Sequence, residues 1–378
     1  MHRPPPELLQ RMPAQYFAGI LATVAAERAR PGPRVIDLGR GNPDLPPPPR
    51  ALDAAGTAIA DPTLHGYAPF QGEPALREAI AARYAADHGV ALDPDREVAV
   101  VPGVKTAIML LALACAGRGE AVALPDPGYP DYLSGIEVAG ARPLPFALTP
   151  GTWQPDWDAL AEAEPALLVV NYPSNPTAAC EAPGTFEAAV AFARDRGAWL
   201  VSDLAYGFLA FDGRRARSVL EVDGARECAV ELWSASKVYG MAGWRLGFVV
   251  GNAELVGRVR TLVDHIAAGV PMPLQRGLQA ALTGDQSDVA ERRAVYERRR
   301  EVLCDVLDVP RSEGTFYAWW RLPEGVTAAQ LLSEARVAVA PGEGFGGRGA
   351  GWARLSLAVG DADLLEAATR LKACISSA

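Results

Sequence analysis

Apolar residues follow two different rhythms along the chain. Between Pro74 and His88 they recur every fourth position, at Leu76, Ile80 and Tyr84, which predicts a helix with one buried face. From Glu97 to about Ala267 the rhythm changes to short, almost continuous apolar runs: VAVVPG, AVALPD, ALLVVNYP, WLVSDLAY, AVELWSASK and RLGFVVGN. Such runs, bounded by turns and separated by helical stretches, predict a parallel or mostly parallel sheet buried on both faces. A helix-like run covers 14–30, strand-like VIDLG follows, and the proline cluster of GRGNPDLPPPP marks a boundary. After a charged helix over 288–307, FYAWWRL, VAVAPG and WARLSLAV predict a smaller α/β domain. The expected class is therefore α/β, with an arm over 1–13 and the start of the small domain over 14–45. A large domain over 46–267 and the rest of the small domain over 268–378 complete it.

Composition narrows the function. At 378 residues the chain can bury two cores, and a net charge of -9 argues against a nucleic-acid partner. The opening MHRPPPELLQRM lacks the apolar segment of a signal peptide. The longest apolar run, Ala107 to Ala116, falls well short of the roughly 20 residues a membrane span needs. Five cysteines are scattered without CxxC spacing, which predicts reduced thiols and a cytoplasmic location. His2, His65, His88 and His265 form no ligand pattern, so no metal centre is expected. Arginine supplies nearly all the positive charge; lysine occurs only at Lys105, Lys237 and Lys372. Where lysine persists against that bias, the amine itself is a candidate for chemistry.

The strongest chemical signal is the segment from Ser234 to Arg245, SASKVYGMAGWR. Lys237 is flanked by the hydroxyls of Ser234 and Ser236 and followed eight residues later by Arg245. An amine can condense with an aldehyde, while the arginine and serines offer charge-assisted hydrogen bonds to a phosphate. By contrast PGEGFGGRG, superficially a dinucleotide loop, runs into a strand and opens no helix, so that reading fails.

SASKVYGMAGWRLGF closely resembles the lysine signature of the class I/II aminotransferases, the fold-type-I pyridoxal-phosphate enzymes. Further landmarks follow in the family's order: GNPDLP, HGYAPFQGEPALREAI, NYPSNPT, SDLAY and WARLSLAV, so the resemblance spans roughly Gly39 to Val359. It implies that pyridoxal 5'-phosphate is carried by Lys237, the base for proton transfer at the substrate. Asp203 would keep the pyridine nitrogen protonated, and Tyr206 and Asn175 would bond the ring's phenolic oxygen. Gly103, Val104 and Lys105 would hold the phosphate at a helix N-terminus, together with Ser234, Ser236 and Arg245. Tyr129 would stack on the ring. Tyr67 would reach the phosphate of a neighbouring subunit, which implies a homodimer.

Arg354 would clamp the substrate carboxylate, with Gly41 and Asn175 lining the same pocket. Lys105 also matches a lysine that approaches substrate or cofactor in several branches. It either selects substrates with a second anionic group or simply opens a helix near the phosphate. NPTA in place of NPTG, and Leu204-Ala205 after the aspartate, point away from standard aspartate aminotransferases. DPGYP and DLAYGFLAFDG look more like the diaminopimelate and alanine branch. The implied activity is ping-pong transamination between an L-amino acid and a 2-oxo acid, with a dicarboxylic or diaminopimelate/alanine-type substrate in view. The alternative is a C–S β-lyase on the same scaffold. A regulatory, non-catalytic role is disfavoured, since no helix-turn-helix pattern precedes Gln15 and Lys237 is intact.

Overall fold

The computed structural model describes residues 3–376; His2 lies outside them. Its strands are β1 (Ile36–Asp37), β2 (Val98–Val101), β3 (Ala121–Asp126), β4 (Arg142–Ala147), β5 (Leu167–Asn171), β6 (Trp199–Asp203), β7 (Ala229–Ser234) and β8 (Gly247–Gly251), then β9 (Tyr317–Arg321), β10 (Val337–Ala338), β11 (Ala340–Pro341) and β12 (Trp352–Ser356). The central sheet runs β2-β8-β7-β6-β5-β3-β4. Only β8 runs against its neighbours β2 and β7. Successive side chains of the interior strands enter opposite cores. Val98 and Val100 pack on one side with Leu76, Ile80 and Phe248, while Ala99 and Val101 pack on the other with Leu110, Leu232 and Val249. That two-sided burial is why these strands read as unbroken apolar runs.

The helix over Pro74–His88 has the predicted limits, with Leu76, Ile80 and Tyr84 buried and Gly89 ending it in the left-handed conformation at φ 68°. β4 is absent from the sequence expectation. Its RPLPFA carries two prolines, which remove ladder donors, but β4 is the sheet's edge and bonds β3 alone. The stretch VAVAPG, expected as one strand, is two: β10 pairs with β1 and β11 pairs with β12, the chain changing partners at Val339.

A second body groups β9, β11 and β12 with the helices Ser287–Val306 and Asp361–Ser376 around Tyr296, Leu303, Phe316, Leu355 and Leu364. The helix Met272–Thr283 lies beyond the expected boundary at 268, yet packs on Pro49–Ala60 and Pro74–His88. Leu278 and Leu282 join the core of Leu76 and Ile80, and Gly277 permits the approach, since a Cβ there would stand 2.9 Å from the Ala51 carbonyl oxygen. No helix among the described residues is long and apolar enough to cross a membrane.

Candidate active site

Parallel strands deliver their C-terminal ends to one edge of the sheet, and the polar ends of β5, β6 and β7 meet there as Asn171, Asp203 and Ser234. Asp203 is buried. Its Oδ2 accepts a hydrogen bond from Tyr132 Oη at 2.8 Å and its Oδ1 accepts from the Ala205 amide at 3.1 Å. The Asn171 amide donates to the Asp203 carbonyl at 2.7 Å and accepts from the Asn175 N–H at 2.8 Å, so one asparagine locks both loops. Burial pushes the Asp203 carboxyl up to about 6, while Tyr132, the Ala205 amide and Lys237 pull the other way.

Lys237 sits on the single helical turn Ala235–Val238, whose start is capped by Ser234 Oγ accepting from the Ser236 N–H at 3.3 Å. Its ammonium donates to the Gly41 carbonyl at 3.1 Å and lies 5.4 Å from the centre of the Phe316 ring. Burial lowers its pKa; Tyr317 and Asp203 oppose the shift, and Arg354 and Arg245 add to it. Gly41 has no room for a side chain, because a Cβ would stand 2.0 Å from Tyr317 Oη.

Tyr317 links the two halves of the site. Tyr206 Oη donates to Tyr317 Oη at 3.1 Å, and the Arg354 guanidinium lies 3.9 Å from the centre of the Tyr317 ring. Burial alone would raise the Tyr317 phenol, but Arg354, Lys237 and the Tyr206 hydrogen bond together bring it below the ordinary tyrosine value. Arg354 is itself fully buried, with Phe345 and Phe17 also facing its guanidinium at 4.9 and 5.2 Å. It donates to Asn175 Oδ1 at 2.7 Å and to the Gly39 carbonyl at 3.1 Å, whereas its Nε has no partner. A buried donor left unpaired costs stability, and a substrate carboxylate is the natural acceptor for it.

At the far end, Gly103 precedes the helix Val104–Cys115 with φ 85°, and a Cβ there would stand 2.5 Å from Arg245 Nη2. A helix N-terminus, an arginine and two serines therefore surround one small space, the donor set a phosphate needs. Lys105, on the first turn of that helix, pairs with Asp131 at 3.0 Å. Asp131 also accepts from Gln15 at 3.0 Å and from Tyr129 Oη at 2.6 Å.

One cavity of about 310 Å³ is lined by Gly41, Val104, Lys105, Tyr129, Asn175, Asp203, Tyr206, Ser234, Ser236, Lys237, Arg245 and Arg354. Gly103 borders it through Arg245. Tyr67 does not reach it; its side chain is 89% exposed on the surface. The cavity also takes in Phe17, Arg40, Asn171 and Tyr317, which the sequence reading did not single out, and Tyr132 lies directly beneath Asp203. Tyr132 is signalled by its place three residues after Tyr129 on the turn into a helix; Tyr317, inside an apolar strand, carries no local signal.

Fold and geometry together define an α/β transferase built around a half-buried lysine and a buried arginine. The chain belongs to the aminotransferase class I and II family, whose model matches residues 33–371. It is 39% identical over 377 residues to the L-glutamine–4-(methylsulfanyl)-2-oxobutanoate aminotransferase of Bacillus subtilis strain 168, covering 96% of this chain and 94% of that one. It is also 39% identical to an LL-diaminopimelate aminotransferase of Desulforudis audaxviator, covering 97% of each. Among solved structures, substrate-bound BacF of Bacillus subtilis matches with a TM-score of 0.93 at 34% identity, covering 98% of both chains. The protein is an aminotransferase that moves amino groups between amino acids and 2-oxo acids, and nothing in these relatives favours the lyase alternative.

Proposed function

We propose that Lys237 carries pyridoxal 5'-phosphate, and that this chain catalyses ping-pong transamination in a homodimer. The observation that carries the reading is a half-buried lysine amine of lowered pKa, with the Gly41 carbonyl as its hydrogen-bond acceptor, in one cavity with a buried carboxylate and a buried arginine bearing an orphaned Nε. When bound, the cofactor would supply an electron sink for the electrons released at the substrate Cα. Each remaining part of the work falls to this chain.

Arg354 receives the α-carboxylate through its planar fork, which fixes the substrate in one orientation. Asn175, already bonded to Arg354, ties that clamp to the ring-binding loop. Asp203, held by Tyr132 and the Ala205 amide, presents a negative charge where the pyridine nitrogen would lie. With a pKa of about 6 it is mainly ionised at neutral pH. Lys237, kept neutral more readily by burial, is the base that would take the proton from the substrate Cα onto its Nζ and give it up again two atoms along, a 1,3 shift. Val104, Ser234, Ser236 and Arg245, with Gly103 opening the helix, would anchor the phosphate, and Tyr129 would stack on the ring.

Tyr67 supports the dimer. A tyrosine 89% exposed beside Phe70, 37% exposed, at a ring separation of 6.5 Å is suited to cover by a second subunit. The scattered cysteines fit a reducing compartment, the cytoplasm. The test is optical: an amino acid should bleach the yellow of the loaded protein, and a 2-oxo acid should restore it. Pyruvate and ammonia from cystathionine without that cycle would point to the lyase instead.

A further inference from the structure

Five cationic side chains line the cavity: Arg40, Lys105, Lys237, Arg245 and Arg354. Three have assigned work at the phosphate, the amine and the α-carboxylate. Lys105 is compensated by Asp131 at 3.0 Å, and Asp131 is further held by Gln15 and Tyr129. Arg40 remains. Its side chain is exposed at the mouth, and among the described residues no anionic group pairs with it.

The backbone that carries Arg40 is fixed. The Gly39 and Arg40 amides both donate to Asp37 Oδ1, at 2.9 and 3.2 Å. On one side the Gly39 carbonyl accepts from Arg354, and on the other the Gly41 carbonyl accepts from Lys237. Arg40 thus stands between the groups that would hold the substrate's carboxylate and take its Cα proton. An apolar part of the same cavity wall is formed by Phe17, Ile20 and Leu21 of the helix Tyr16–Arg28.

We infer that Arg40 is a specificity-determining residue that reads the far end of the substrate side chain. The class it selects is an amino acid with a short methylene stem ending in a carboxylate or carboxamide. The stem lies along Phe17 and Ile20, and the acceptor oxygens meet the arginine fork. This assignment rests on the transaminase reading and gives the second anionic group a partner other than Lys105.

The test uses the cofactor-loaded protein and measures the rate of cofactor bleaching per concentration of glutamate, glutamine and alanine. In Arg40→Ala the glutamate-to-alanine and glutamine-to-alanine ratios should fall about 10-fold or more, the scale of a lost charge-assisted hydrogen bond. Arg40→Lys should lie between, keeping charge without the fork. Lys105→Ala should move the ratios less than Arg40→Ala does. Equal losses on all three amino acids, or a larger shift in Lys105→Ala, would overturn the assignment to Arg40 while leaving transamination intact. If no amino acid bleached the wild-type protein, the underlying reading would fail as well, and visibly so.

Discussion

At the residue scale the site depends on groups left incomplete. Arg354 Nε is buried without a partner, and Lys237 is an amine held by a single carbonyl acceptor. Replacing Arg354 with lysine keeps the charge but loses the planar fork. The specificity constant should drop for every amino acid alike, by about 10- to 100-fold, as steady-state kinetics across several substrates would show. Tyr317→Phe removes the acceptor of the Tyr206 hydrogen bond, worth about 1 kcal/mol, so kcat/KM should fall roughly five- to ten-fold with little change in fold.

Asp203 makes a prediction about pH. Its folded pKa of about 6 lies above the ordinary 3.8, so between those values the folded chain binds more protons than the unfolded one. This group therefore makes the cofactor-free protein less stable as pH rises from 4 to 6, by on the order of 2 kcal/mol. Asp203→Asn cannot ionise, so its stability relative to wild type should increase across that window in denaturant titrations, even as its transamination collapses. Lys237 and Asp203 were legible because neighbours in the chain announce them. Tyr317 was not, since it lies inside an apolar strand and meets Tyr206 across 111 positions.

At the scale of elements, the strands were readable wherever burial on both faces left an unbroken apolar run. β4 was hidden because an edge strand tolerates prolines, and the β10–β11 break because partner exchange at Val339 leaves no mark on an apolar sequence. The turn into the helix Val104–Cys115 depends on glycine at 103. Gly103→Ala must hold φ 85° with a Cβ 2.5 Å from Arg245, so the arginine moves out of the phosphate space. The backbone strain is about 1–2 kcal/mol. A cofactor titration should show weakened binding, with the thermal midpoint of the cofactor-free protein lowered only modestly.

On the scale of the whole molecule, the cavity lies where the central sheet meets the second body. Asp203 and Lys237 come from the first, while Tyr317 and Arg354 come from β9 and β12 of the second. The α/β class was legible, because alternating strand and helix patterns specify it. The place of the helix Met272–Thr283 was not, since only packing against Pro49–Ala60 and Pro74–His88 assigns it to the large core. If Tyr67 completes a neighbouring site, each subunit alone is deficient. Mixed dimers of Tyr67→Ala and Lys237→Ala chains then contain one site carrying both lesions and one carrying neither. Such hybrids should recover activity that neither parent homodimer has, up to about half of wild type per hybrid.

The amine at position 237 is expected to bond covalently to the cofactor. Reducing the yellow protein with borohydride and mapping its peptides tests it directly. The pyridoxyl group should appear on Lys237, within the peptide that also bears Ser234 and Ser236. Its appearance on Lys105 or Lys372, or on no lysine, would contradict the account.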